Sequence, residues 1–220
     1  MSGKRYKFNG STFGVQTALG AGLTITNATQ ADPVVVSIAA HGQSLGAVGK
    51  ISSVSGMTEL NDNLYVVDNP LSGSFEIAKT DGSAYGAFVA GSPANGIFQP
   101  VTFSSFCELT GANQQDAAAN QIEVSTICST AKEFEQGLSD SGQLTLDYNW
   151  AGNETVQAAI EDAKESGDQI AFKITFPGTG GYLIMIGTVQ QTSVQGQVNG
   201  VWTASATIKL SGPKFILPSA

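Results

Sequence analysis

Histidine is almost missing from this chain of 220 residues, which holds His41 alone, and cysteine is scarce, with only Cys107 and Cys128. These three cannot supply the four ligands of an ordinary zinc site, and the thiols lack metal-ligand spacing, so no metal or other cofactor is expected. The thiols are expected to be reduced and partly buried, the usual state of free cysteine. Charged residues make up only 13% of the chain, and long acidic or proline-rich tracts are missing, which excludes a disordered polyelectrolyte. No run reaches the roughly 18–20 apolar residues of a membrane span. The basic start "MSGKRYKFNGS" is not followed by the apolar core of a secretion signal. The expectation is a protein made and kept in the cytoplasm, without membrane insertion. Positive charge is the last deficit. The net charge is −8, of which Lys4, Arg5 and Lys7 give the first 29 residues +3, leaving −11 for the rest. A surface so poor in basic groups cannot grip nucleic acid by counterion release.

What is present in quantity is apolar and β-forming. Hydrophobic residues make up 41% of the chain, enough for a proper core, and Gly is abundant at 26. Short runs such as "TFGVQT", "LTITN", "PVVVSIAA", "LYVV", "SFEIA", "YGAFVA", "VTFSSFCEL", "QLTLDY", "IAFKITF", "YLIMIGTVQQT" and "VWTASATIKL" are rich in β-branched and aromatic residues and bounded by turn formers. Leu144, Leu146 and Tyr148 alternate with Thr145 and Asp147, and Phe172, Ile174 and Phe176 with Lys173 and Thr175, so each such strand has one buried face. Asp81-Gly82 reads as a hairpin turn between "SFEIAKT" and "SAYGAFVA", and Gly178 to Gly181 as another between two long strands. One stretch has helical spacing: in "NETVQAAIEDAKESG", Val156, Ala159, Ile160 and Ala163 share a face, Asn153 is placed to cap the start, Glu154 suits the positive end, and Gly167 ends it. The region from Asp32 to Gly96 has its own strands and closes in "GSPANG", so it reads as an inserted unit.

Chemistry-bearing patterns are few. Gly42-Gln43-Ser44-Leu45-Gly46 spells the G-x-S-x-G of a nucleophile elbow, beside His41. Such an elbow needs a strand-to-helix turn, a histidine base and an orienting acid. Here the one histidine precedes the serine and no helical pattern follows Gly46, so a glycine turn is the better reading. Gly20-Ala21-Gly22 lacks the third glycine and crossover helix of a dinucleotide loop and reads as a flexible loop. Glu133 or Glu135 with Asp140 could form a glycosidase pair, yet any acidic β protein offers such pairs. Trp150, Trp202 and Tyr182 lie in or beside strand patterns, where core and interface packing are the expected duties. They are also the features that a carbohydrate-binding β module would use.

The second half of the chain, with "IEVSTICSTAKEFEQGLSDSGQLTLDYNW", a helix, "IAFKITFPGTGGYLIMIGTV" and "VWTASATIKLSGP" in that order, resembles the major tail tube proteins of long-tailed, lambda-like bacteriophages (siphoviruses). The resemblance covers roughly Phe103 to Pro213. It implies a mainly β fold, a sandwich or partial barrel with one flanking α-helix. It also implies six-fold rings that stack into a hollow tail tube through which DNA passes without specific binding, a structural rather than enzymatic role. Its partners would be further copies of itself, a tape-measure protein, and tail tip and terminator proteins, with assembly in the host cytoplasm and residence in the virion tail. Residues 1–31 would be an N-terminal arm and first strands, 32–96 an inserted small all-β domain on the tube exterior, and 97–220 the main tube domain. Residues 32–96 resemble the small β module of the first catalytic cysteine half-domain of ubiquitin-activating enzymes, departing from it at "LGAVGK", where an acidic turn residue is expected. On this reading, ring-to-ring contact falls to the basic arm with Lys4, Arg5 and Lys7 and to the acidic loop with Glu133, Phe134, Glu135, Leu138 and Asp140. Asp147, on an alternating strand, is the candidate for the lumen.

Overall fold

The structure is a computed structural model that describes residues 5–91, 95–116, 119, 121–137 and 140–218. Lys4 and Leu138 lie outside the described residues. The chain opens with β1 (Thr12–Leu19), β2 (Leu23–Thr24), β3 (Asn27–Ala28), β4 (Val35–Ser37), β5 (Val48–Ser52), β6 (Asn63–Asp68) and β7 (Ser74–Ile77). It continues with β8 (Ile97–Ser105), β9 (Leu109–Gln115), β10 (Gln121–Glu123), β11 (Phe134–Gln136) and β12 (Gln143–Asn149). After α1 (Thr155–Ser166) come β13 (Gln169–Thr175), β14 (Tyr182–Gln195), β15 (Thr203–Leu210) and β16 (Phe215–Leu217).

A single large sheet has the order β3-β4-β7-β6-β5-β8-β1-β13-β14-β15-β12-β9, with β16 added to β14 and β2 to β8, while β10 and β11 form a separate two-stranded sheet. Alternation drives this arrangement. In β12 the inward Leu144, Leu146 and Tyr148 are buried and the outward Gln143, Asp147 and Asn149 are exposed. A register shift between Val189 and Gln191 accompanies the change of partner along β14, from β13 in its first half to β15 in its second.

Three apolar clusters hold the sheet. The first joins Val15, Leu144, Leu146, Ile160, Phe172, Met185, Ala206 and Ile208, so the strands from β1 to β12 fold back around one core that α1 covers. The second gathers Ile25, Val36, Ile51, Met57, Leu60, Phe75, Ile77 and Phe98. The third is a seam in which Val48, Leu64, Val66 and Ala78 meet Ala171, Ile184, Ile186 and Phe215. Gly46 marks how close this seam is: a Cβ there would lie 3.0 Å from Leu217 Cδ1 and 3.3 Å from Ile184 Cδ1, on a backbone with φ of 74°.

Several expectations change. The start of α1 is capped differently from the expectation: Glu154 occupies the N-cap position and Asn153 lies outside the helix. Buried Gln157 ties the incoming chain instead, accepting from the Ala151 N–H at 2.9 Å and donating to the Asn149 carbonyl at 3.0 Å. A side chain inside the first turn outcompetes the preceding asparagine because it satisfies two backbone groups at once. Gly167 does end the helix, in the left-handed region. The Gly178–Gly181 turn joins β13 to β14 as expected, with Thr175 opposite Tyr182. Asp81-Gly82 is not a hairpin turn. Asp81 accepts from the Ser83 N–H, Gly82 N–H donates to the Ala31 carbonyl, and "SAYGAFVA" is irregular. Asp81 folds the chain locally, which leaves its flank no register with β7. Gly20 and Gly22 are packed rather than free, since Gly20 donates to the Pro100 carbonyl at 2.7 Å and Gly22 lies against Ile97.

Candidate assembly surfaces

The apparent nucleophile elbow is a structural turn. His41 is buried; its Nε2–H donates to the carbonyls of Leu71 at 2.6 Å and Ser74 at 3.2 Å, while Nδ1 accepts from the Gln43 N–H at 3.0 Å. Both ring nitrogens are thus committed to backbone, and Ser44 faces solvent without a base. Left-handed Gly42 and Gly46 bend the chain into β5. Among the described residues no group of three or more His, Cys, Asp or Glu converges on a metal position. Both cysteines are exposed, contrary to the expected partial burial, because each sits in a turn outside the strands.

The described residues of the 116–141 excursion, between β9 and β12, join none of the three cores. β10 and β11 are exposed along their whole length, pairing Gln121 with Gln136, Ile122 with Glu135 and Glu123 with Phe134. Here the expected loop residues Glu133, Phe134 and Glu135 share one hairpin, with Ile122, Val124 and Ile127 exposed beside them. Within it Lys132 pairs with Glu123 at 3.1 Å, and the Ser129 hydroxyl donates to Glu133 at 3.2 Å. Asp140 does not join the two glutamates. It sits at the base of the excursion, paired with Lys209, as Asp116 at the other base is paired with Lys214 at 2.6 Å. The lysine partner in each case holds the carboxyl below its ordinary value, helped at Asp140 by the Gly142 N–H. Sequence reading missed this pair of clamps, since the partners are distant in the chain.

The basic arm lies at the opposite end of β9. Phe8 and Gly10 line a shallow pocket with Phe106, Cys107 and Leu109, and the ring of Tyr6 is 5.5 Å from that of Phe176. Arg5 and Lys7 are exposed. Trp150 and Trp202, expected in the core or at an interface, project from the core with 46% and 58% of their surface open.

Asp147 faces outward from the middle of β12, between Gly111 of β9 and Ser205 of β15. Around it the outward face of β9, β12, β15 and the second half of β14 presents Asn113, Thr145, Thr207, Gln191 and Ser193, with Ser193 and Ser205 hydroxyls 2.9 Å apart. β9 pairs with β12 on one side only, so its other backbone edge is open among the described residues.

A search of curated proteins finds no match to the chain. Residues 98–181, from β8 through α1 and β13 to the turn before β14 and less than half of the chain, match the model of a family described as phage tail tube, TTP, lambda-like, and this supports a structural bacteriophage tail tube protein.

Proposed function

We propose that this chain is the building block of a phage tail tube, forming closed six-fold rings that stack into a hollow conduit for DNA. The observation that carries the reading is the match of residues 98–181 to a tail tube family. The physical layout agrees with it. The open edge of β9 is seven residues long and free of proline, so lateral pairing with the next subunit closes a ring and removes the edge. The outward face around Asp147 lines the lumen. Its hydroxyls and amides hold water, its one mid-strand carboxylate repels phosphate, and Lys209 is already paired with Asp140, so DNA slides without being held.

The inserted 32–96 region, which builds the second core together with Ile25, Ala28 and Phe98, projects outward as a small β module akin to that of ubiquitin-activating enzymes. The arm with Lys4, Arg5 and Lys7 and the excursion with Glu133, Phe134, Glu135, Leu138 and Asp140 contribute to ring-to-ring contact, with tape-measure, terminator and tip proteins bounding the tube, which assembles in the host cytoplasm. Negative-stain microscopy of the purified full chain tests the reading: rings or tubes are expected, and deletion of residues 2–8 should leave folded rings that polymerise poorly. Dispersed monomers under all conditions would reject it. The exposed indoles of Trp150 and Trp202 favour one alternative, a carbohydrate-binding module, which retention of such monomers on glycan resin would select.

A further inference from the structure

The strand registers place two apolar features at opposite ends of the same three strands. At one end Leu109 of β9 faces Tyr148, and Asn149, the last residue of β12, faces Thr203, the first of β15. Trp150 and Trp202 sit there, one residue beyond. At the other end Gln143 lies between Gln115 and Lys209, and the excursion leaves from this end. The apolar side chains of one end therefore cannot reach those of the other within one molecule.

The tryptophan end is a built platform. The two ring centroids are 6.2 Å apart, and the backbone N–H of Trp150 donates to the backbone carbonyl of Trp202 at 2.9 Å. Each indole lies against a glycine: a Cβ on Gly152 would come within 2.7 Å of the Trp150 ring, and one on Gly196 within 2.8 Å of the Trp202 ring. Glycine backing lets each ring lie close on backbone and leaves the remainder open, a pre-ordered anchor of the kind that dominates interfaces. Val198 and Val201, 92% and 69% exposed, extend the patch, and Gln195 to Trp202 contains no charged residue. At the far end Ile127 is fully exposed, with Ile122 and Phe134 more than half open.

We infer that the Trp150–Trp202 platform is the docking site for the β10–β11 hairpin of a second copy of this chain, which deepens the tail tube reading and rests on it. A contact between two different surfaces at opposite ends of a subunit is heterologous and does not close, so it propagates as a filament along the strand axis. The chemistry of the two ends is matched. Ile127 and Phe134 bring apolar bulk to the indoles, while the exposed amides of Gln197 and Asn199 offer donors to Glu133 and Glu135 at the rim. Glu123 arrives already neutralised by Lys132.

The test uses the full chain. V198E/V201E spoils the platform and I127E spoils the hairpin; each should still form rings, with tube yield reduced at least about tenfold, as expected for a central interface anchor. An equal mixture should form two-ring pairs and no longer stacks, because each variant keeps one working end. Tubes at wild-type yield from either variant would overturn the inference and leave the tube reading standing, whereas wild-type protein that never forms rings would overturn that reading instead. The native thiols give a second measurement, on tubes of wild-type protein and of tube-forming serine variants. Cys107 lies just before β9 at the tryptophan end and Cys128 neighbours Ile127, and both are exposed. A short bismaleimide added to wild-type tubes should give a ladder of covalent multimers that C107S and C128S each abolish. Cross-linking that survives C107S, or tubes that yield none, would overturn the inference.

Discussion

Two segments leave the sheet that runs from β8 to β9, and they solve the problem of apolar surface in opposite ways. The segment centred on β3 to β7 closes its own core around Phe75, Phe98 and Met57, then seats itself on β13 and β14 through Val48, Val66, Ile184 and Ile186. Two lysines span that seam: Lys79 donates to the Lys214 carbonyl at 2.9 Å, and Lys173 to the Gly46 carbonyl at 3.4 Å while lying 4.3 Å from the Tyr182 ring centre. The 116–141 excursion buries none of Ile122, Ile127 or Phe134 and, among the described residues, is fastened at its base by the Asp116–Lys214 and Asp140–Lys209 pairs. Exposed ion pairs contribute little to stability, so these clamps set where the hairpin points more than how tightly the molecule folds. A segment that finds its apolar partners within the chain adds stability to the subunit, and one that does not is available to a second copy.

The contrast can be broken most sharply at Phe98, fully buried and 5.0 Å from the Phe75 ring. Phe98→Ala should cost about 3–5 kcal/mol in denaturant unfolding. Because the seam is apolar and continuous, the whole chain should still unfold in one transition; two separated transitions would show the units to be independent. Ile184→Ala, in the seam itself, should cost about 2–5 kcal/mol and is the variant expected to split that transition.

A smaller effect is expected from alkali, and each core carries a reporter. Burial pushes the Tyr148 hydroxyl in the first core, and the Tyr65 hydroxyl beside the second, up to about 12. Each phenol keeps its proton longer when folded, so the stability it contributes is whole below the unfolded value of 10.0 and is lost as pH rises through 10 towards about 12. Unfolding curves for Tyr65→Phe and Tyr148→Phe should each lose part of that decline. Lys173 acts with the opposite sign: burial lowers its value, so its protonation opposes folding, and stability should rise as pH climbs from that lowered value towards 10.5. Lys173→Met should remove this rise. The smallest effect on the monomer belongs to the excursion. Ile127→Ser should change unfolding stability by no more than about 0.5 kcal/mol, since the side chain touches no core, while still impairing tube assembly.

Much of the sheet was legible because alternation is local. Leu144, Leu146 and Tyr148 turned inward as their spacing required, and the Gly178–Gly181 turn joined its strands. Helix α1 was legible for the same reason, from Val156, Ile160 and Gly167. Its cap was not, because Asn153 and Gln157 are both plausible until the incoming chain is placed. "YGAFVA" has strand composition but no neighbouring strand to pair with, and the short edge strands β10, β11 and β16 have pairing without a strong pattern. The acidic loop was recognised as a surface, yet Asp140 parted from Glu133 and Glu135 because Lys209 draws it to the base. The indoles were read as packed residues, since sequence does not say which side of a strand end a ring will take.

An acidic, mainly β chain with one helix and a single histidine was already evident from the amino-acid order. Those properties follow from composition and from side-chain periods of two and 3.6 residues, which need no knowledge of distant partners. The standing of the tryptophan pair and the exposed hairpin at opposite ends of β9, β12 and β15 emerged from the packed sheet. That placement depends on strand register between segments far apart in the chain, and register is fixed by the packing of a whole core.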